Sequence, residues 1–186
     1  ERFDLNHVSR SPSTFDEKKL DWLAGQYLRQ VDIDRLTELA IPYFQELGLV
    51  PKDRAKVDYP RLKVIVEAVR PGLHCLSELT KETDFFFRGP ALGEEERNIL
   101  SSDKSQKVLS TALEALESYP VEADLKDFTS TLISQKVIET RELMMTLRLA
   151  LTGRAHGPEL NAILSILGVE ECKRRLRGAL LVRSKG

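Results

Sequence analysis

Cysteine is nearly missing from this chain: there are two in 186 residues, Cys75 and Cys172, with no CxxC pair and no histidine cluster beside them. A disulfide framework and a zinc site are therefore excluded, and both thiols are expected to be buried. No apolar run approaches the roughly 18 residues a membrane span needs, and no charged-then-apolar leader opens the chain. The expectation is a soluble, cytoplasmic protein with no membrane partner. Catalytic signatures are missing as well. His7, His74 and His156 lie far apart, no glycine-rich phosphate loop follows a strand, and there is no GxSxG, HExxH or Walker pattern. No catalytic residue, metal ligand or cofactor site is assigned to these residues. Charge of one sign is also lacking, since the net charge is -1, which argues at first sight against nucleic acid.

The distribution of charge is less neutral than its total. Residues 141–186 hold nine Lys and Arg against four acids, a net of +5, so the first 140 residues carry -6. A basic end on an acidic body suits a surface that meets phosphates, although cations in a last helix also suit its own dipole.

Apolar spacing is helical nearly throughout. Asp16 is a good N-cap for a helix burying Leu20, Leu23 and Tyr27; Asp32 or Asp34 opens another with Leu36, Leu39, Ala40 and Phe44. A third helix carries Leu62, Ile65, Val66 and Val69 to the Arg70-Pro71-Gly72 break, and a fourth runs from Leu76 to Phe87 and stops at Gly89-Pro90. Then come Glu94 to Leu100, Asp103 to Ser118, and Leu125 to Val137 behind Asp124. A helix from about Arg141 to Leu151 precedes a loop and a last apolar helix from Pro158 to Leu167. Leu160, Ile163, Leu164 and Leu167 make its buried stripe, with Pro158 at N1 and Gly168 at the stop. These patterns predict an all-α fold of two packed helical subdomains, residues 15–89 and 90–186, with a short tail over 1–14.

Two blocks carry a family resemblance. One is Leu147-Arg148-Leu149-Ala150-Leu151-Thr152-Gly153 followed by Gly157-Pro158-Glu159-Leu160; the other is Phe3-Asp4-Leu5, Ser11-Pro12, Phe15-Asp16 and Lys19-Leu20-Asp21-Trp22-Leu23. Together they resemble the anticodon-binding half of bacterial glutamyl-tRNA synthetases, class I enzymes, over nearly the whole chain. The resemblance implies an α-helical cage behind the end of the stem-contacting region, which is the tail at 1–14. It implies tRNA(Glu) as partner, and a parent enzyme that joins glutamate to tRNA with ATP and magnesium in an N-terminal catalytic domain absent here. Val8-Ser9-Arg10-Ser11 only faintly echoes the family's lysine-serine ATP signature, whose lysines are absent, so this piece alone should not aminoacylate.

By the same resemblance Arg148 lies beside the anticodon, where a planar fork of donors can bond base edges and phosphate together. Gly157, Pro158 and Leu160 offer backbone groups at a helix N-terminus. Arg70 and Gly72 occupy a segment where glutamate-only members tend to carry a further arginine that reads the third anticodon base. Glycine at 72 then implies a parent that accepts tRNA(Gln) as well as tRNA(Glu), and with it an amidotransferase partner. Each residue also has a plainer reading: Arg148 and the run Lys173-Arg174-Arg175 with Arg177 as solvated helix cations, Leu160 and Trp22 as core, Phe85-Phe86-Phe87 as a packed seam, Gly72 as a helix stop. Two rivals stand beside the resemblance, an all-α protein-interaction module without nucleic acid and a tRNA-modifying paralogue.

Overall fold

Side-chain caps set where the helices begin. The computed structural model describes residues 16–134 and 140–182, so the tail at 1–14 and the end of the helix expected to reach Val137 lie outside it. Asp16 accepts from the Lys19 N–H at 3.1 Å and opens α1 (Glu17–Gln30). Asp32 accepts from the Asp34 and Arg35 N–H groups and opens α2 (Ile33–Glu46); Asp58 does the same for α3 (Tyr59–Val69), which carries Pro60 in its first turn. These carboxylates satisfy backbone donors that the first turn leaves unpaired. A 3-10 turn, Arg70–Gly72, leads on to α4 (Glu78–Arg88), stopped by Gly89 at φ 87°. Then follow α5 (Glu94–Leu100), α6 (Asp103–Glu117), α7 (Phe128–Ser134), α8 (Thr140–Thr152) and α9 (Leu160–Leu180). Among the described residues there is no strand, and the protein is all-α.

The helical stripes meet in one buried cluster. α2, α3 and α4 pack on each other through Leu36, Phe44, Ile65, Val66 and Leu79, while α6, α8 and α9 pack through Leu109, Leu116, Leu147, Leu151 and Leu164. α3 touches α9 and joins the two sets. A Leu or Phe buried to this degree stabilises by about 2 kcal/mol, so the cluster is the main favourable contribution to the fold.

Helix α1 departs from expectation. Leu20, Leu23 and Tyr27 are 52%, 40% and 71% exposed, and Trp22, read as core, is 57% exposed. The helix docks instead through its small side: a Cβ on Gly25 would stand 3.1 Å from the Leu73 carbonyl oxygen, and Arg29 donates to the Pro71 carbonyl at 3.1 Å. Periodicity located an apolar stripe but not what lies opposite it. Leu39 is likewise largely exposed, and of the two thiols only Cys172 is buried, its pKa pushed up to about 12 by desolvation, whereas Cys75 is exposed.

Three boundaries also move. α7 starts at Phe128 rather than Leu125, with residues 125–127 outside the helix. α4 starts at Glu78 rather than Leu76, because the Glu78 carboxylate accepts from the His74 and Cys75 N–H groups ahead of it. The last helix begins after Pro158, with Glu159 as its N-cap. At Gly168 (φ 74°, ψ 170°) the chain breaks helical geometry as expected, then resumes it to Leu180.

Candidate nucleic-acid interface

The loop between α8 and α9 is pinned at both ends. At its start Gly153 has φ 72°, and a Cβ there would lie 2.5 Å from the Ala91 carbonyl oxygen, so only glycine permits this crossing of the two chain segments. The Thr152 hydroxyl donates to the Arg148 carbonyl at 2.7 Å and accepts from the Arg154 N–H at 3.1 Å, closing the last turn of α8. At the loop's end the Arg148 guanidinium donates to the Pro158 carbonyl at 2.5 Å. Arg148 is half-buried, and desolvation pulls its pKa below the usual arginine value.

Facing this loop is the turn after α3, and between them lies a cavity of about 690 Å³. Pro71, Gly72 and His74 form one wall; Gly157, Pro158 and Glu159 form the other. Glu78 sits at the edge, its carboxyl held below the usual range chiefly by the His74 N–H at 2.8 Å. The space is large enough for a nucleobase, and its rim offers backbone groups and carboxylates.

Of the six residues singled out in the sequence, Gly72, Gly157 and Pro158 line this cavity. Arg148 lies behind the Gly157-Pro158 wall and buttresses it. The Arg70 guanidinium turns away to the Val31 carbonyl at 3.3 Å, and the Leu160 side chain is 2% exposed in the core, leaving only its backbone at the helix start. Periodicity and motif reading missed Glu67, which shares the cavity with Glu159 of the motif through a fold contact between segments some 90 residues apart.

Residues 35–180 match the family model described as the anticodon binding domain. The chain belongs to the anticodon binding domain family. Curated relatives named glutamate–tRNA ligase agree with the domain at 34% identity over 95% of this chain in Carboxydothermus hydrogenoformans and at 32% over 97% in Desulforamulus reducens. The chain spans 37% and 38% of the length of those two relatives. Among solved structures, a glutamate tRNA ligase from Elizabethkingia meningosepticum superposes with a TM-score of 0.79 over 97% of this chain and 36% of its own, at 22% identity. A glutamate-tRNA synthetase from Elizabethkingia anophelis gives 0.72 over 96% of this chain and 34% of its own. At 22% identity these two establish the fold.

The basic end of this anticodon-binding domain is only in part a solvated helix: Arg174 and Arg177 are exposed. Lys173 and Arg175 are buried, at 6% and 4% exposure. Arg175 donates to Glu171 at 2.6 Å and to the Leu151 carbonyl at 2.5 Å; Lys173 sits between Glu117 and Glu170; Arg177 meets Glu117 at 2.5 Å. Glu170 and Glu171 are already counted within the +5 of residues 141–186, and Glu117, from outside that stretch, offsets one charge more. No helix among the described residues is long and apolar enough to cross a membrane.

Proposed function

We propose that this domain reads the anticodon of tRNA(Glu) for a glutamate–tRNA ligase, with anticodon bases entering the cavity between Gly72 and the Gly157-Pro158 loop. The observation that carries this reading is the cavity itself, which brings three of the six candidate residues together from distant parts of the chain. The first turn of α9 has no side-chain cap, so its N–H groups stay available to a base edge. Carboxylates on the rim accept from base amino groups and repel phosphate, which keeps the backbone outside while bases enter. Arg148 acts through the wall it supports.

Glutamate activation with ATP and magnesium is assigned to a catalytic half outside this chain, and the domain alone should form no glutamyl-adenylate. At position 72 the cavity wall has no side chain, so nothing there bonds a cytosine edge or rejects a guanine at the third anticodon base. The ligase is therefore non-discriminating, charges tRNA(Gln) as well as tRNA(Glu), and depends on an amidotransferase to convert the mischarged product.

A gel shift with this chain tests the reading: tRNA(Glu) and tRNA(Gln) should bind alike and more tightly than an unrelated tRNA, and equal binding of all three would overturn it. Gly72→Arg sharpens it, because a Cβ at Gly72 meets nothing within 4 Å and the new side chain has open space. That variant of the ligase should prefer tRNA(Glu) by kcat/KM about 100-fold, on the order of 3 kcal/mol. The rival reading, a protein-interaction module, is favoured by the exposed apolar residues of α1; self-association or partner binding without any tRNA binding would support it instead.

A further inference from the structure

One arginine ties the recognition loop to the opposite half of the domain. Arg154, which the sequence offers only as one more positive charge, follows Gly153 and reaches across to α4. Its Nη1 donates to the Glu82 carboxylate at 3.0 Å, its Nη2 donates to the Lys81 carbonyl, and its guanidinium lies over the Phe85 ring at 5.6 Å. Lys81, Glu82 and Phe85 occupy a single turn of α4. The side chain is 28% exposed and its backbone N–H is taken by Thr152.

Consequences follow from the direction of these contacts. α4 carries Glu78 and Glu82 on the cavity's edge, while the loop carries Gly157 to Glu159 on its far wall. Joining Arg154 to α4 ties the far wall to the cavity's edge. Without this link the segment between Gly153 and Pro158 would be held only at its ends. A planar fork over an aromatic ring suits this task better than a lysine, which offers a point charge on a flexible stem. The donors on Nη1 and Nη2 are turned to protein acceptors rather than outward to a phosphate.

We infer that Arg154 is a positioning residue: clamped by Glu82, the Lys81 carbonyl and Phe85, it sets the width of the cavity and thereby preorganises the wall that meets the tRNA. The inference rests on the anticodon reading above, and the experiment separates the two.

Amide hydrogen exchange over residues 153–159, measured without RNA, should rise about tenfold in Arg154→Ala. Unchanged exchange overturns the clamp whatever tRNA does. Binding of tRNA(Glu) should then weaken about tenfold in Arg154→Ala while the slope of log affinity against log salt stays as in the unmodified chain. A slope reduced by about 0.7 to 0.9 would make Arg154 a phosphate contact and overturn the inference. The charge swap Arg154→Glu with Glu82→Arg should bind more tightly than Arg154→Glu alone, since a clamp can be rebuilt in reverse and a phosphate contact cannot. A swap no better than the single variant overturns it too. Should the unmodified chain fail to prefer tRNA(Glu) over an unrelated tRNA while the exchange result holds, the clamp stands and the anticodon reading falls.

Discussion

Two stretches of this domain are rich in cations and use them in opposite ways. In residues 170–177 the acceptors are mainly carboxylates, and Lys173, Arg174, Arg175 and Arg177 all sit in ion pairs with Glu117, Glu170 or Glu171. In residues 148–159 Arg148 donates to the Pro158 carbonyl, and Arg154 to the Lys81 carbonyl and the Glu82 carboxylate, so positive charge is spent on shaping a loop beside a cavity. The first region is near neutral and holds the fold together; the second shapes a surface. A count of charges along the chain joins the two regions, and only burial separates them.

The largest effect expected is on the side that holds the fold. Arg175 is 4% exposed, and Glu171→Ala would leave it with the Leu151 carbonyl as its remaining partner across the core. Breaking a buried pair on one side costs about 3 to 5 kcal/mol, to be read from urea denaturation, and tRNA selectivity should not change. Acid gives the same answer by another route. Hydrogen bonds from Arg174 and Arg175 pull the Glu171 pKa from 4.5 to about 2. A depressed pKa means the stabilisation is complete above the unfolded value and is lost as pH falls from about 4.5 through about 2. The unmodified chain should lose stability over that window, and Glu171→Gln should flatten the loss.

Next comes a pair of glycines that separates backbone strain from close approach. Gly153 and Gly168 have nearly the same φ, 72° and 74°, yet a Cβ at Gly153 meets the Ala91 backbone at 2.5 Å and at Gly168 nothing within 4 Å. Gly168→Ala should cost about 1 to 3 kcal/mol of strain alone, since φ 74° with ψ 170° is a region that only glycine occupies readily, and Gly153→Ala should cost more because the Ala91 segment must also move. Only the Gly153 variant should lose tRNA affinity, since only that glycine fixes the loop between α8 and α9. Equal losses in stability would show that the Ala91 segment yields easily.

That pair also shows how much was legible beforehand. Local signals served well: the Asp16 and Asp32 caps, the Glu94–Leu100 helix, the stop at Gly89, and the stripes through Leu62 and Leu160 all appear in the structure, because each is set by residues within one or two turns. Gly153 was legible as part of a motif, but its contact with Ala91 was not. The exposed stripe of α1 and the burial of Lys173 and Arg175 were misread for the same reason. Which face of a helix is covered, and which charge finds a partner 60 residues away as Arg177 finds Glu117, depends on tertiary packing.

Arg148→Ala tests the loop between α8 and α9 directly. Loss of the bond to Pro158 should weaken tRNA(Glu) binding by about 1 to 3 kcal/mol without unfolding the domain, the range for a lost charge-assisted hydrogen bond. Arg148→Lys, which keeps one donor near the carbonyl, should recover part of it. If lysine were no better than alanine, the planar fork would be needed and Arg148 would be meeting RNA as well as Pro158.

The smallest effect should come from Arg177→Ala, and its smallness is informative. Arg177 is 55% exposed and lies against Glu117, whose carboxyl is held below its usual range chiefly by that bond. Removing Arg177 leaves Glu117 to Lys173, at 3.6 Å. The local charge becomes more negative by one unit, but at a site whose cations already face carboxylates. Exposed pairs of this kind contribute little, so both stability and tRNA affinity should change by less than about twofold in the corresponding equilibrium constants. The salt dependence of binding should stay the same, because a cation already paired within the protein releases no counterion from RNA. If Arg177→Ala instead lowered the salt slope as much as loss of a phosphate contact does, the two basic regions would form one RNA surface. The division between a near-neutral support and a loop that shapes the cavity would then be wrong.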